Sequence, residues 1–306
     1  MKFSIQLPTD RVDPPDEFLS AQSLAEIGQC IESAGFDAAY VTDHPAPTDP
    51  WLASGGHQTL DPFVALSFVA AATRRLRLQI HVLIVAYRNP FLSAKAIASL
   101  DVLSGGRVIA GVAAGYLEGE FDALGIDFAN RNDLTDERLR EIKRIWQGGS
   151  IDLEGRDFRA SGITTLPQPR QRPHPPIWVG GNSHRAIRRA VDLADGWLPF
   201  PTPPAMAKRV RTAVLTSLDD LRDRIAYLRD YATQVGRVEP LDIAFVPFGM
   251  RMNDPEPLEV ARFRDVIDEL AELGVTWLTV GPPVGSRAEY CDWARRFGDE
   301  VLGKVR

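Results

Sequence analysis

The feature that most restricts the fold of this chain is the alternation of strand-like and helix-like segments, repeated about eight times along the sequence. The unit in residues 87–116 is the clearest: Asn89 caps a helix led by Pro90, a glycine pair at 105–106 ends it, and a continuous apolar strand follows. A strand that is apolar on both faces is typical of a parallel sheet covered by helices. This indicates the α/β class, and eight units in 306 residues favour a (β/α)8 TIM barrel formed by residues 1–306 as a single domain. An open doubly wound sheet would show the same alternation with fewer units, but no GxGxxG motif follows the first strand.

Residues 148–175 break this rhythm. Gly155 with apolar neighbours suggests a hairpin, and five prolines fall between positions 167 and 176. The segment is too short to bury a core of its own. We therefore predict an insertion hairpin after the fourth helix, within the barrel.

The composition argues against several kinds of partner. The net charge is −6 and the sequence pI is about 5.5, whereas nucleic-acid-binding proteins present a basic surface. No apolar run approaches the length of a membrane span, so no membrane partner is expected. The two cysteines, Cys30 and Cys291, have no CxxC partner. A metal site or disulfide framework is therefore not expected, and a cytoplasmic location is the default.

In a TIM barrel the functional side chains lie where the strands exit into loops at their carboxyl ends. We therefore selected candidates by position: a polar pair after strand 2, two residues within strand 3, and small or polar residues after strands 4 and 5. These are Asp43 and His44, His81 and Val82, Gly115 and Tyr116, and Gly180, Gly181, Asn182 and Ser183.

His44 is the candidate for proton transfer, because an imidazole changes protonation near neutral pH. Asp43 beside it points to the opposite side, so it is better suited to orienting a loop. Judged on residues alone, a histidine packed under the 45–60 loop is the more common situation. Tyr116 could stack on a flat ring or donate its hydroxyl, and it could also simply cover the barrel mouth.

The segment Gly180–Ser183 opens a helix directly after a buried strand. Free N–H groups and the helix dipole attract phosphate at such a position. The alternative is an ordinary tight turn with an Asn or Ser cap. His81 stands in an otherwise apolar strand, where an inward, hydrogen-bonded core histidine is the alternative to a binding role.

The order of motifs resembles the luciferase-like monooxygenase superfamily, and more closely its branch that uses the deazaflavin coenzyme F420. The matching motifs are the strand-3 exit, the Pro-led helix, the Leu-Asp-Val-Leu-Ser-Gly-Gly-Arg corner at 100–107 and the Gly-rich exit at 108–116. The resemblance covers nearly the whole chain. It implies a TIM barrel with its cofactor at the carboxyl ends of the strands, and hydride transfer between the deazaflavin and a small organic substrate.

The resemblance also implies roles for individual residues. His44 would lie beside the reactive ring and serve the chemical step, and the 180–183 segment would meet the cofactor phosphate. A non-prolyl cis peptide is expected behind the ring, and we place it at His81–Val82. Most members carry a smaller residue than His81, so the ring pocket is expected to be reshaped. Members that oxidise sugar phosphates carry an acidic residue in place of Tyr116, so that activity is not expected here.

Two other functions stay open. With FMN in the same pocket, the protein would be a two-component monooxygenase that takes reduced flavin from a separate reductase. A barrel that binds the cofactor without catalysis is the third possibility. Homodimers are typical of the family, so a homodimer is expected.

Specificity for the substrate would lie in the loops 45–60, 117–132 and 200–217. The last loop carries the basic residues 208, 209 and 211. They could reach the phosphate and polyglutamate of F420, but a solvated loop is the more common role of such a cluster. Asp101 and Arg107 are predicted to form an ion pair at the amino end of strand 4. Arg88 has no assigned role.

Overall fold

The computed structural model describes residues 1–12, 15–248, 260–282 and 285–305, which form a closed barrel surrounded by helices. The strands are β1 (Lys2–Gln6), β2 (Ala38–Val41), β3 (Arg77–Ile84), β4 (Val108–Ala113), β5 (Ile151–Glu154), β6 (Arg159–Ile163), β7 (Ile177–Gly180), β8 (Gly196–Leu198), β9 (Asp242–Phe245) and β10 (Trp277–Val280). The helices are α1 (Pro15–Phe18), α2 (Ala21–Ala34), α3 (Asp49–Ala53), α4 (Pro62–Ala72), α5 (Pro90–Leu103), α6 (Glu118–Ala123), α7 (Arg131–Ile145), α8 (His184–Leu193), α9 (Pro204–Arg209), α10 (Leu218–Gln234), α11 (Val260–Leu273), α12 (Arg287–Phe297) and α13 (Gly303–Val305). Turns of 3₁₀ helix occupy Val85–Tyr87 and Phe128–Asn130, and a π-helical turn occupies Gly298–Leu302.

The barrel consists of eight parallel strands in the order β1-β2-β3-β4-β7-β8-β9-β10. Pairing of β10 with β1 closes it, and Ser4 lies opposite Thr279 at this seam. Strands β5 and β6 form a separate antiparallel pair after α7, which is the long helix that follows the fourth barrel strand. The predicted (β/α)8 barrel and its insertion hairpin are thus both confirmed.

The strand–helix unit that opened the sequence analysis forms as its end signals predict. The Asn89 side chain accepts a hydrogen bond from Phe91 N–H at 2.9 Å, which satisfies one of the free donors at the start of α5. Gly105 and Gly106 follow the helix with φ of 75° and 91°, a backbone conformation that glycine adopts at little cost.

Alternation along each strand divides the buried residues into two cores. Phe3 and Ile5 face outward and join the large apolar core between the barrel and its helices. Ser4, between them, faces the barrel interior. There Trp178 and Trp277 pack edge to face with ring centroids 5.1 Å apart, inside a smaller apolar cluster. The carboxyl-terminal end of the interior is more polar, which leaves that end suited to a site.

The loops at this end contain short helices, although the sequence of these loops shows no helical periodicity. Helices α3, α6 and α9 lie in the segments 45–60, 117–132 and 200–217, which were predicted as loops. Their lengths of five or six residues are too short for a periodic pattern. A proline within the first two helical positions of α3 and α9 was the available signal.

Near the carboxyl terminus, the apolar residues 243–248 predict a strand, and the observed strand β9 covers 242–245. The pattern of 256–273 predicts a helix, which is observed as α11 from Val260 to Leu273. Positions 256–259 lie outside the described residues.

The predicted ion pair between Asp101 and Arg107 is wrong. Asp101 is fully buried and accepts two hydrogen bonds from Gln171, one from the backbone N–H and one from the side chain. The Arg107 guanidinium donates instead to Thr73 Oγ1 and to the carbonyl oxygens of Ala70 and other residues at the end of α4. The corner is structural, as expected, but its polar groups are satisfied separately.

Among the described residues, no helix has both the length and the apolar character needed to cross a membrane.

Candidate functional site

The predicted site residues lie at the carboxyl ends of β2, β3, β4 and β7, which are consecutive in the barrel. Because parallel strands present these ends at one face, residues far apart in sequence meet there. His44 and Tyr116 are close neighbours across this face, with ring centroids 6.0 Å apart. The positive φ of Gly115, 80°, allows this turn, and a Cβ at that position would lie 2.8 Å from the Phe121 ring.

Two further aromatic side chains complete a cluster around His44. Trp51, which α3 carries over the barrel mouth, lies 4.6 Å from the His44 ring centroid, and His57 lies 5.0 Å from it. Trp51 also contacts Tyr116, at 6.5 Å between centroids. We call His44, Trp51, His57 and Tyr116 the aromatic cluster. It places flat faces and polar ring edges at one side of the mouth.

Glu120 is the acidic partner of His44. Its carboxylate is 2% exposed, and its Oε1 lies 3.3 Å from His44 Nδ1 and 3.4 Å from the Ala46 backbone nitrogen. A carboxylate can only accept hydrogen bonds, so His44 donates from Nδ1. The opposite edge of the ring, Nε2, is then available to take or give a proton.

The protonation of the neighbouring rings is set mainly by burial. Burial, with a smaller contribution from the nearby His44, lowers the pKa of His57 to about 4. His57 is therefore neutral near pH 7, with its Nε2 at 3.2 Å from Thr42 Oγ1. Burial and the Glu120 carboxylate both raise the pKa of Tyr116, so its hydroxyl stays protonated and able to donate.

Asp43 does not join the aromatic cluster. Its carboxylate accepts from Ile84 N–H at 3.2 Å and from Arg88 Nη2 at 2.7 Å, so it fixes the backbone where β3 ends. Burial raises the pKa of Asp43 against the opposing effect of Arg88. Arg88 thus has a structural role that the sequence did not indicate, and Asp43 orients a loop.

Strand β3 carries a bulge at the level of the site. Its register with β4 shifts between Ile80 and Leu83, and the His81–Val82 peptide is cis, which confirms the predicted position. Gly111 on β4 permits the bulge, because a Cβ there would clash with the Ile80 carbonyl oxygen. Val82 lies beside Gly180: a Cβ built on that glycine would be 3.4 Å from Val82 Cγ1.

The turn after β7 is held mostly by internal hydrogen bonds. Gly181, with φ of 118°, donates its N–H to Leu198 O at 3.3 Å, and Asn182 N–H donates to Thr212 Oγ1 at 2.9 Å. The Ser183 hydroxyl accepts from Ala186 N–H and caps α8.

The buried Asn182 side chain also bonds within the chain, to the 200–213 segment. It therefore anchors that segment. Because the Asn182 side chain is already hydrogen-bonded, the predicted phosphate contact would use the glycines, Ser183 and the start of α8.

Basic side chains connect the loops at the mouth. Arg209 Nη1 donates to Ser54 O at 2.6 Å, which links the 200–217 segment to α3. Arg211, with φ of 50°, pairs with Glu118 at 2.8 Å. Its guanidinium and that of Arg131 both lie over the Phe128 ring, 4.5 Å and 4.0 Å from the centroid. Two of the three predicted basic residues, Arg209 and Arg211, are thus bound to neighbouring loops.

Comparison with known protein families shows to which family the chain belongs. A model of the luciferase-like monooxygenase family matches residues 1–250. The chain belongs to this family. The resemblance inferred from the motifs at 87–116 is thereby confirmed.

Solved structures show the same luciferase-like barrel. Monooxygenase RslO1 from Streptomyces bottropensis is 22% identical, with a TM-score of 0.78 and full coverage of both chains. The coenzyme F420-dependent tetrahydromethanopterin reductase from Methanopyrus kandleri is 18% identical, with a TM-score of 0.73, over 100% of this chain and 99% of that one. An F420-dependent secondary alcohol dehydrogenase, solved with an F420–acetone adduct, is 16% identical, with a TM-score of 0.72, over the same shares. At these identities the likeness establishes the fold alone.

In this luciferase-like site, sequence reasoning missed the residues that surround His44. Glu120 falls in a segment without periodicity, and the only sequence signal for it is the acidic start of that segment. Trp51 and His57 lie in the 45–60 segment, whose path is set by packing of α3. The faint signal for all three was a chemically capable side chain in a loop at the functional face.

Proposed function

We propose that this luciferase-like protein is an oxidoreductase that uses coenzyme F420 to transfer a hydride to or from a small organic substrate. The observation that carries the proposal is the contact between His44 and the buried Glu120 at the barrel mouth. Reduction of a carbonyl or oxidation of an alcohol moves a proton as well as a hydride. A histidine held by a carboxylate is suited to that proton.

The residues at the mouth fit a flat ring. Val82, Ala113 and Gly180 lie together and present small apolar groups: a Cβ on Gly180 would be 3.4 Å from Val82 and 3.6 Å from Ala113. The rings of His44 and Tyr116 would form the polar side. Two buried donors beside this space, Trp51 Nε1 and Tyr87 Oη, have no hydrogen-bond partner within the described residues. Buried donors are rarely left unpaired, so they support a bound polar molecule.

The charges near α8 favour F420 over FMN. Arg131 and Arg211 lie over one phenyl ring, and Arg185 is near enough to influence the pKa of Arg131, which burial mainly lowers. Glu118 pairs with Arg211, and Asp133 and Asp136 both pair with Arg185, which offsets part of this charge. F420 carries a polyglutamate extension beyond its phosphate, and FMN has no such extension. A guanidinium group at this position suits the longer anion.

When bound, the deazaflavin would supply or accept the hydride. The chain's own residues handle the proton and the surroundings. His44 would exchange the proton through Nε2 while Glu120 holds Nδ1–H and stabilises the imidazolium. Trp51 and Tyr116 would exclude water from the reacting face. The α8 N-terminus with Ser183 would hold the phosphate.

The test begins with binding. We expect saturable fluorescence changes with F420, and affinity for F420 that falls in Arg131→Ala and Arg211→Ala. Arg296→Ala, on α12 and paired there with Glu300, serves as the matched control. FMN affinity should change little in the same variants. Saturable binding of FMN without F420 would refute the choice of cofactor.

The second arm tests the role of His44. Single-turnover changes of F420 absorbance would be followed with a panel of small alcohols, carbonyls and alkenes. We expect His44→Ala to bind F420 but to lose at least ~100-fold of the rate, as loss of a general acid or base does. An unchanged rate would remove His44 from the chemistry.

An FMN-dependent monooxygenase is the second candidate, and its support is the similarity in fold to monooxygenase RslO1. It would need a separate reductase to deliver reduced flavin. A barrel that binds F420 without turnover is the third. Oxygen consumption with FMN and an added reductase would establish the second, and binding without turnover over the whole panel would indicate the third.

We also propose a homodimer. Helices α4 and α5 leave four large apolar side chains exposed: Val64, Phe68, Leu92 and Leu103, with 45–77% of their surface accessible. An apolar patch on adjacent helices favours self-association. Light scattering should give twice the chain mass of 33.8 kDa, and Leu92→Glu should lower it. A monomer at micromolar concentration would contradict the proposal.

A further inference from the structure

A chain of polar side chains crosses the barrel interior and ends at His81. The Ser4 hydroxyl lies 2.6 Å from Gln79 Oε1, and Gln79 Nε2 lies 3.1 Å from His81 Nδ1. Ser4 and Gln79 are both fully buried. Ser4 on β1 and Gln79 on β3 meet over the intervening strand β2, and Gln79 and His81 are two residues apart on β3, so the three side chains hold one another in place.

The distances give this chain a direction. A separation of 2.6 Å is typical of O–H···O and short for N–H···O, so Ser4 donates to the oxygen of the Gln79 amide. The amide nitrogen then faces His81 and donates to Nδ1. An accepting Nδ1 carries no hydrogen. His81 must therefore carry its hydrogen on Nε2.

The charged form of His81 does not compete with this tautomer. Burial lowers the pKa of His81 to about 4, so the ring is neutral near pH 7. The Tyr40 ring lies 4.8 Å from the His81 ring, but its hydroxyl donates a hydrogen bond to Gln6 Oε1. Tyr40 is therefore not the partner of the His81 side chain. Nε2–H is then the polar edge of His81 that no described hydrogen bond uses.

The position of this edge suggests its partner. His81 lies at the top of the barrel interior, and the next residue, Val82, forms the small apolar wall with Gly180. His81 is only partly buried, so this N–H is open to the space above it, where a bound ligand can accept its hydrogen. A heteroaromatic ring lying against that wall would carry its carbonyl oxygens and ring nitrogens along its edge, which would bring one of them within reach of this N–H. This step rests on the proposed function, because it takes the ring to be the ligand.

We propose that His81 is a cofactor-positioning residue, whose Nε2–H donates a hydrogen bond to a carbonyl oxygen or ring nitrogen of the bound heteroaromatic ring. Gln79 and Ser4 act through it by fixing its tautomer. The deazaflavin of F420 and the flavin of FMN both carry such acceptors, so the role holds for either. A donor at that edge also stabilises electron density on the ring, which would alter the absorption of the bound cofactor.

The tautomer is tested on the protein alone. Nitrogen-15 NMR of the imidazole rings distinguishes protonated from unprotonated nitrogens, and His81→Gln assigns the signal among the five histidines. We expect Nε2 protonated and Nδ1 unprotonated at pH 7. Gln79→Glu replaces the amide donor with an acceptor, so the hydrogen should move to Nδ1. A wild-type ring protonated on Nδ1, or on both nitrogens, would overturn the inference.

The role in binding is tested with whichever of F420 and FMN the wild type binds. We expect His81→Leu to weaken binding about tenfold, the effect of one hydrogen bond with a buried partner, and to shift the absorption maximum of the bound ring. His81→Gln keeps an N–H at similar reach and should restore part of the affinity and of the absorption shift. Thermal melting curves of both variants, compared with the wild type, establish that each is folded before its affinity is measured.

The outcomes separate this inference from the proposed function. If the wild type binds cofactor but transfers no hydride, the proposed function falls and the role of His81 is still decided by the variants. If His81→Leu binds with unchanged affinity and spectrum, the role of His81 alone is refuted. If His81→Leu does not fold, Gln79→Glu decides, because it should weaken binding while leaving the histidine in place. Binding of neither cofactor by the wild type overturns both.

Discussion

Replacement of Asn182 should destabilise the protein far more than a surface asparagine would. The residue is fully buried after β7. Its Nδ2 lies 2.9 Å from Phe200 O, 2.9 Å from Thr202 Oγ1 and 3.1 Å from Ala213 O. Its Oδ1 accepts from the Phe200 backbone N–H at 3.1 Å. One side chain therefore holds both ends of the 200–213 segment across the mouth.

The magnitude follows from the number of bonds that the amide can make. An asparagine amide has two hydrogens and one carbonyl oxygen, so these four contacts amount to about three hydrogen bonds. At ~1 kcal/mol each, Asn182→Ala should lower the free energy of unfolding by about 3 kcal/mol. Asn182→Asp keeps the size but directs a carboxylate at two carbonyl oxygens, so it should cost at least as much.

The assay is urea unfolding followed by tryptophan fluorescence and circular dichroism. Asn130→Ala is the matched control, since its side chain bonds to Asp127 at the surface and its loss should cost less than ~0.5 kcal/mol. Cofactor affinity should also fall in Asn182→Ala below its unfolding range, because the segment over the mouth is released. A loss in Asn182→Ala no larger than in Asn130→Ala would refute this account of the anchor.

Three further predictions concern the walls of the site. Gly111→Ala should cost ~1–3 kcal/mol of unfolding free energy and abolish cofactor binding, because its methyl group would displace the Ile80 carbonyl at the bulge. The pKa of His57, about 4 in the folded protein, lies below its ordinary value of 6.5. The unfolded chain therefore binds the proton first, and stability falls as pH drops from 6.5 towards 4. His57→Gln should remove about 1–2 kcal/mol of that loss at pH 5. Arg88→Met should cost ~3 kcal/mol or more by leaving the Asp43 carboxylate buried and unpaired, and Asp43→Asn should cost less.

Each of these has its own control in urea titrations. Gly55→Ala meets no atom within 4 Å and should show only the smaller cost of its positive φ, so an equal loss in Gly111→Ala would contradict the steric argument. His184→Gln alters an exposed ring that stacks on Tyr227, and it should change the pH dependence between 5 and 7 less than His57→Gln does. Identical pH curves for wild type and His57→Gln would contradict the burial of that ring. A larger loss in Asp43→Asn than in Arg88→Met would show that the ion pair has been assigned the wrong role.

The sequence by itself determined the barrel, because the signals for it are local. Helix caps such as Asn89, the glycine pair that ends α5 and apolar strand segments each depend on residues within a few positions. Repeated about eight times, they leave little choice of fold. The position of the cis bond at His81–Val82 came from resemblance to a family, since no local pattern encodes it.

Only the tertiary structure decided which polar groups meet. Glu120 reaches His44 across 76 positions, and the contact exists because barrel closure brings the ends of β2 and β4 to one face. Asn182 follows β7, as the sequence pattern predicts, but the partners of its side chain depend on how the 200–213 segment folds back to it. Short-range sequence patterns indicate which secondary structure each segment forms. The pairing of buried polar side chains depends instead on packing between elements that are distant in the chain.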